Sequence, residues 1–238
     1  MTTLDAGLAV RAFFTTRAGG VSEGDFASLN VSASVGDDPE SVSENRRVVE
    51  RMAGVPVVYM AQTHGADAAI VVSPDDAPEA DAIVTATPGI ALAVAVADCV
   101  PILVHDRVSG AVGAIHAGRR GVAGGIVPAA VARLRELAGA EGDIEASIGP
   151  AICGGCYEVP AAMRDEVAAI VPGTRAETTW GTPSLDLVAG VTSQLHAEGI
   201  RDIVLAGACT RESPECYSHR RDGTTGRFAG VIVSGRRD

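Results

Sequence analysis

Between positions 57 and 117 the chain passes through short apolar or β-branched runs divided by Gly, Pro and Asp: Val57 to Gln62, Ala68 to Val72, Ala82 to Thr85, Ile90 to Ala97, Ile102 to His105 and Ala111 to His116. Runs of this length between turn formers predict strands. Their apolar residues follow one another rather than alternating with polar ones, so the strands need cover on both faces. Helical layers must supply part of that cover. Asp37-Asp38-Pro39-Glu40 offers a capping carboxylate and a proline at the first helical position, and Gly54 is a stop signal, which predicts a helix from Pro39 to Ala53. A second helix is expected from Ala123 to Ala138, where Val127, Val131 and Leu134 share one face, and others from Ala161 to Val171 and Leu185 to Ala197. Strands at Ile144 to Ile148, Ile203 to Ala206 and Arg227 to Val233 complete a pattern without strict βαβ alternation. The expected fold is α/β, a layered sandwich with a mixed β-sheet and flanking helices, forming a single domain over residues 1–238.

Aromatics make up 3% of a chain that is 47% hydrophobic, so the core must be aliphatic. The formal charge of −11 repels nucleic acid and anionic membranes, and no basic run offsets it. Ile90 to Ala97, the longest purely apolar run, falls well short of the ~18 residues of a membrane helix. The amino terminus shows no signal-peptide pattern, which leads to the expectation of a cytoplasmic protein. All nineteen basic residues are arginine, which excludes a Schiff-base lysine and a phosphate-loop lysine. Five cysteines are neither dense nor even in number, in keeping with a reducing compartment.

Three residues suggest chemistry. His64 in QTHG, Cys99 in ADCVP and His116 in HAGRRG each stand at or just after the end of a predicted strand. Two imidazoles and a thiolate suit zinc, and three protein ligands leave a fourth position for water or substrate. The three lie far apart along the chain, so only folding can bring them together, and a buried Cys with two satisfied His is the competing reading. Asp98 beside Cys99 is a candidate to orient a ligand imidazole or handle protons, or simply a turn former. The run Gly118-Arg119-Arg120-Gly121 enters the second predicted helix, where backbone N–H groups and guanidiniums favour an anion. Arg46 could reach the same anion from its own helix. Cys153-Gly154-Gly155-Cys156 with Cys209 and Cys216 could form a four-thiolate zinc site, although the second pair is widely spaced. His105 and His196 read as core or surface residues, and nothing local requires His219 to face a pocket.

An ordered series of motifs now stands out: TTRAGGVSEGDFASLN, GDD followed by NR, QTHGAD, DA.VT..PG, ADCVPIL, AIHAGRRG, IGPAI with YEV, and CT with SHRRDGTTGR. On these, nearly the whole chain resembles the YfiH-like, laccase-domain family, whose members are described as zinc-dependent purine nucleoside phosphorylases and formerly as multicopper polyphenol oxidases. The resemblance implies metal ligands at His64, Cys99 and His116 and basic positions at Arg46 and Arg120. The family's HAGWRG motif reads HAGRRG here, so Arg119 replaces a tryptophan and an aromatic surface is lost. Phosphorolysis of adenosine, inosine or methylthioadenosine is implied, with adenosine deamination in the same pocket. Arg46, Arg119 and Arg120 would then bind substrate, and Asp98, Cys99 and Arg120 would take part in catalysis with zinc. Nucleoside and phosphate are the expected partners of a monomer or homodimer.

Other uses of these residues are open at this point. Cys99 as nucleophile with His116 as base would make a hydrolase or amidase, which would suit the editing of cell-wall precursors attached to relatives. Copper could accept one Cys and two His, but several coppers need more imidazoles than five His supply. A metal-stabilised module that docks a phosphorylated partner is a non-catalytic possibility.

Overall fold

The computed structural model describes residues 3–139 and 142–235. In chain order the strands are β1 (Thr3–Asp5), β2 (Ala12–Thr15), β3 (Val57–Tyr59), β4 (Ala68–Ile70), β5 (Ala82–Thr85), β6 (Ala91–Val96), β7 (Val100–Asp106), β8 (Val112–Ala117), β9 (Ile144–Ile148), β10 (Arg175–Glu177), β11 (Pro183–Leu185), β12 (Asp202–Leu205) and β13 (Phe228–Val233). The helices are α1 (Pro39–Ala53), α2 (Arg119–Gly124), α3 (Ile126–Ala138), α4 (Ala161–Ile170), α5 (Leu187–Ala197) and α6 (His219–Asp222). Two mixed sheets result, in the orders β1-β2-β13-β6-β3 and β12-β9-β7-β8-β5-β4, while β10 and β11 form a separate pair.

The layering follows from side-chain alternation on strands that are apolar on both faces. Leu92, Val94 and Val96 of β6 and Phe228 and Ile232 of β13 meet Ile83, Leu103, Val112 and Ala114 of the second sheet in one shared core. The intervening residues point outward. Ile102, Val104 and Ile115 pack on Val127, Val131 and Leu134 of α3 and Val191 of α5. On the far side, Ala91, Ala93, Ala229 and Val231 cluster with Val49 and Ala53 of α1. The mixed α/β sandwich with flanking helices is therefore present, built on two sheets rather than one.

Helix α1 has the expected bounds, with Asp38 accepting a hydrogen bond from the Ser41 N–H and Gly54 closing it at φ 79°. The second predicted helix is broken in two because Gly125 adopts φ 82°, closing α2 before α3 begins. Strand β7 starts two residues earlier than expected. Pro101 cannot donate to a ladder, but it lies near the strand's start, where its carbonyl accepts from Gly149. Strands β1, β2, β10 and β11 are additions to the expected set. Three of them have only three residues, too short for a periodic signal.

Two crossings between the sheets determine where the functional residues lie. Strands β3 and β6 are parallel neighbours in the first sheet, so their ends fall on the same side. From β3 the chain passes through residues 60–67 into β4 of the second sheet, and from β6 it passes through Ala97-Asp98-Cys99 into β7. The end of β8 lies against the start of β7, with Val100 opposite Ala117 and Pro101 opposite His116. His64, Cys99 and His116 are thereby carried to one end of the sandwich.

Phe14, fully buried in the shared core, depends on the absence of side chains around it: a Cβ on Gly149 would stand 2.3 Å from its ring and one on Gly230 2.9 Å. Among the described residues no helix is long and apolar enough to cross a membrane. Removing the Phe14 ring leaves a cavity flanked by two glycines that cannot fill it. Phe14→Ala is expected to lower the unfolding free energy by about 3–5 kcal/mol, read as a lower denaturant midpoint at unchanged slope.

Candidate metal centre

His64, Cys99 and His116 come together. Their ligand atoms all lie within 4.8 Å of one another, and the two imidazole rings meet edge to face with centroids 4.7 Å apart. Cys99 is half-buried, His116 buried and His64 exposed. The backbone is strained to achieve this. Among the described residues, His64 at φ 61° and Asp98 at φ 82° are the only non-glycine residues in the left-handed region, which costs of order 1 kcal/mol or more each and persists only where the surroundings enforce it.

Asp81, fully buried just ahead of β5, provides much of that enforcement. One carboxylate oxygen is 2.7 Å from Nδ1 of His116 and accepts the His64 N–H at 3.0 Å. The other accepts the Thr63 hydroxyl at 2.7 Å and the Gly65 N–H at 2.6 Å. Its backbone carbonyl accepts the His116 N–H at 2.7 Å. A carboxylate on Nδ1 of a metal-ligating imidazole selects the tautomer whose Nε2 is free to ligate. Gln62 secures the other end of the loop, pairing its carboxamide with both backbone groups of Ala95 at 2.9 and 3.0 Å.

The titration of the site reflects these contacts. Burial opposes ionisation of Cys99, but the His116 and His64 imidazoles beside it prevail and bring the thiol down to about 6. Burial likewise disfavours the His116 cation, yet the Asp81 carboxylate and the Cys99 sulfur raise it to about 9. Asp81 is held well below the usual carboxylate range; burial works against this, and His116, Thr63 and Gly65 overcome it. Each of the two thus favours the charged form of the other, a thiolate beside an imidazolium.

The donors fit zinc in both type and room. A Cβ added to Gly118 would lie 3.2 Å from the Cys99 sulfur, 3.5 Å from His64 Cδ2 and 3.7 Å from His116 Cε1, so the glycine keeps open the space at which all three side chains converge. A cluster of several coppers would need further imidazoles beside these three donors. Beyond the two ligand imidazoles, His219 is the one other histidine on the adjoining cavity, and its Nδ1 is bonded to the Gly223 carbonyl. His105 is buried and paired with Glu145 at 2.8 Å.

That cavity measures about 920 Å³. His64, Cys99, His116 and Asp98 line it, together with Arg46, Arg220 and Arg227, Tyr59 and Tyr157, and apolar Met60, Val96 and Leu187. Arg46 stacks over Tyr59 at 4.3 Å and donates its Nε–H to the Val31 carbonyl. Arg220 stacks over Tyr157 at 4.9 Å.

Asp98, Arg119 and Arg120 stand close to the centre in roles of their own, and three further residues emerge only from the fold. Asp98 does not orient a ligand imidazole; its oxygens accept from the Thr210 hydroxyl and the Arg220 N–H, both at 2.6 Å, and Asp81 holds the imidazole instead. Arg119 and Arg120 stand outside the cavity lining. Arg120 donates to the Thr63 carbonyl at 3.2 Å and so braces the His64 loop, whereas Arg119 lies near Tyr157, whose phenol is pushed up by burial and Cys99 against the pull of Arg119 and Arg220. Arg220 and Arg227 join the cavity wall instead; their signal in the sequence is the arginine-rich SHRRDGTTGR segment. Asp81 is the third addition, and a carboxylate directly before the apolar Ala82 to Thr85 run invites the question of what it binds.

The model of the multi-copper polyphenol oxidoreductase laccase family matches residues 11–235. The chain belongs to this family. A relative from Streptomyces coelicolor named purine nucleoside phosphorylase is 51% identical, with 92% of this chain and 93% of the relative covered. One of the same name from Mycobacterium bovis is 45% identical, covering 94% and 91%. Among solved structures, a Neisseria meningitidis protein described as DUF152 superposes with TM-score 0.87 at 36% identity, over 98% of this chain and 99% of that one. YlmD from Geobacillus stearothermophilus gives 0.87 at 37%, over 98% and 94%.

Two outcomes are expected. In metal-free protein, alkylation of Cys99 should titrate with a midpoint near 6, the thiolate forming as pH rises, and bound metal should suppress it at every pH. Asp81→Asn removes the charged acceptor from His116 and should weaken metal binding by about 10- to 100-fold in a competition titration.

Proposed function

We propose that this chain is a zinc-dependent purine nucleoside phosphorylase that splits adenosine, inosine or methylthioadenosine with phosphate, and that the same cavity deaminates adenosine. The observation that carries the reading is the juxtaposition of one thiol and two imidazoles that could share a metal ion with three guanidiniums on one cavity of about 920 Å³, a size suited to a nucleoside and an anion. The names of the relatives from Streptomyces and Mycobacterium agree with it. His64, Cys99 and His116 would hold the zinc, which as a Lewis acid polarises oxygen or nitrogen groups and acidifies water.

The chain's own residues account for binding and orientation. Arg46, Arg220 and Arg227 bring positive charge to the cavity wall, where it can draw phosphate from water and hold it against the sugar. In phosphorolysis a phosphate oxygen bonds to C1′ as the bond from C1′ to the base nitrogen breaks, and the departing base keeps the electron pair and gains a proton. Positioning lowers the barrier by making the attack effectively unimolecular. Tyr59, Tyr157, Met60 and Leu187 offer flat and apolar surface for a purine. Asp98 keeps the Cys99 turn in place through Thr210 and Arg220, and Arg120 keeps His64 in place through Thr63. The five unpaired thiols suit a reducing cytoplasm.

Incubation of zinc-loaded protein with each nucleoside, with and without phosphate, tests the reading. Free base and ribose 1-phosphate, or its methylthio analogue, should form only when phosphate is present; cleavage independent of phosphate, or none with any of the three, would refute it. Arg46→Ala should raise the KM for phosphate by about 10- to 100-fold, the loss of one charge-assisted contact. Inosine formed from adenosine without phosphate would report the deaminase activity.

A further inference from the structure

We infer that Cys153, Cys156, Cys209 and Glu212 form a second, structural zinc site that staples the wall of the substrate cavity, separate from the centre at His64, Cys99 and His116. The four ligand atoms lie within 4.8 Å of one another. Tetrahedral zinc with sulfur at about 2.3 Å places its donors roughly 3.7 Å apart, so the four side chains need only small adjustments to share an ion. The sequence offered Cys216 as the fourth ligand. The structure excludes it: Cys216 is buried in the core between the sheets, and the carboxylate of Glu212 takes its place.

The backbone is built for this. Cys153 and Cys156 bracket one turn, closed by the Cys156 N–H donating to the Cys153 carbonyl at 3.0 Å. Cys209 and Glu212 bracket another with the same spacing, closed by the Glu212 N–H donating to the Cys209 carbonyl at 3.2 Å. The turns face each other across a parallel bridge between Ala151 and Cys209. The Cys153 N–H points at the Cys209 sulfur at 3.4 Å, and the Cys156 thiol donates to Glu212 at 3.4 Å. Two turns, each presenting ligands at its first and fourth residues, with a backbone N–H directed at a sulfur, make a closed donor set of three soft ligands and one hard one. That composition selects zinc over magnesium or calcium, and four protein ligands leave no position for substrate.

The site's place in the fold says what it would do. Ile152, next to Cys153, donates its N–H to the Asp98 carbonyl at 3.0 Å, and Thr210, next to Cys209, donates its hydroxyl to the Asp98 carboxylate at 2.6 Å. Tyr157, next to Cys156, lines the cavity. An ion joining the two turns would add a metal–ligand link between the segments that fix the strained Asp98 turn and the Tyr157 wall.

Metal analysis of the full chain purified from zinc-supplemented cells under reducing conditions tests this, zinc being the probe. The parent should carry about two ions per chain, and Cys209→Ser and Cys99→Ser about one each. Cobalt substitution gives a second readout that needs no variant of the cluster to fold: Cys99→Ser protein, its remaining cobalt bound by three thiolates, should keep an intense sulfur-to-cobalt absorption in the near ultraviolet. A parent carrying one ion, lost entirely in Cys99→Ser, would overturn the proposal. So would a disulfide among Cys153, Cys156 and Cys209 in the freshly reduced and repurified chain.

Discussion

The buried carboxylate of Asp81 is the contact on which the site depends. It receives hydrogen bonds from Thr63, His64 and Gly65 on one crossing segment and from the His116 ring on strand β8. A charge taken this far out of water is tolerable only when its lone pairs are filled, and here they are filled by the loop and the ligand that must be brought together. The cost of an unpaired Asp81 is thus what makes the loop conformation definite, positive φ at His64 included.

Fold and site share one origin in the crossings between sheets. A sandwich of two mixed sheets needs segments that leave one and join the other, and at one end two of these run side by side because β3 and β6 are parallel neighbours. Such segments are short and sharply turned, which explains why the left-handed non-glycine residues His64 and Asp98 occur on them. They also carry Met60, Ala97 and Cys99 into the core between the sheets, and the same three residues line the cavity. Gly118, entering α2 from the end of β8, completes the arrangement by contributing no side chain where three ligands converge.

The family's description speaks of several coppers, whereas the donors gathered at His64, Cys99 and His116, two imidazoles and one thiolate, could hold one ion of borderline softness. The purine nucleoside phosphorylase name of the bacterial relatives fits that donor set, since its chemistry asks for polarisation and anion binding and no electron transfer. The chain is acidic overall, with a formal charge of −11, yet three arginines, Arg46, Arg220 and Arg227, line the cavity against two carboxylates, Glu79 and Asp98. An anion can therefore find a locally positive site on a protein that repels polyanions as a whole.

Residue order alone determined that strands buried on both faces would be covered by helices, that α1 would run from Pro39 to Ala53, and that His64, Cys99 and His116 were the metal-binding candidates. Each of these rests on local chemistry: apolar runs, a capping Asp before Pro, and side chains whose donor atoms suit one ion. The pairing of strands into two sheets, the division of a helix at Gly125, the exchange of Asp98 for Asp81 as partner of the imidazole, the presence of Arg220 and Arg227 on the cavity wall, and the grouping of Glu212 rather than Cys216 with Cys153, Cys156 and Cys209 were decided only in three dimensions. They depend on which distant segments are packed against one another, and neither the spacing nor the identity of neighbouring residues encodes the direction in which a side chain leaves a turn.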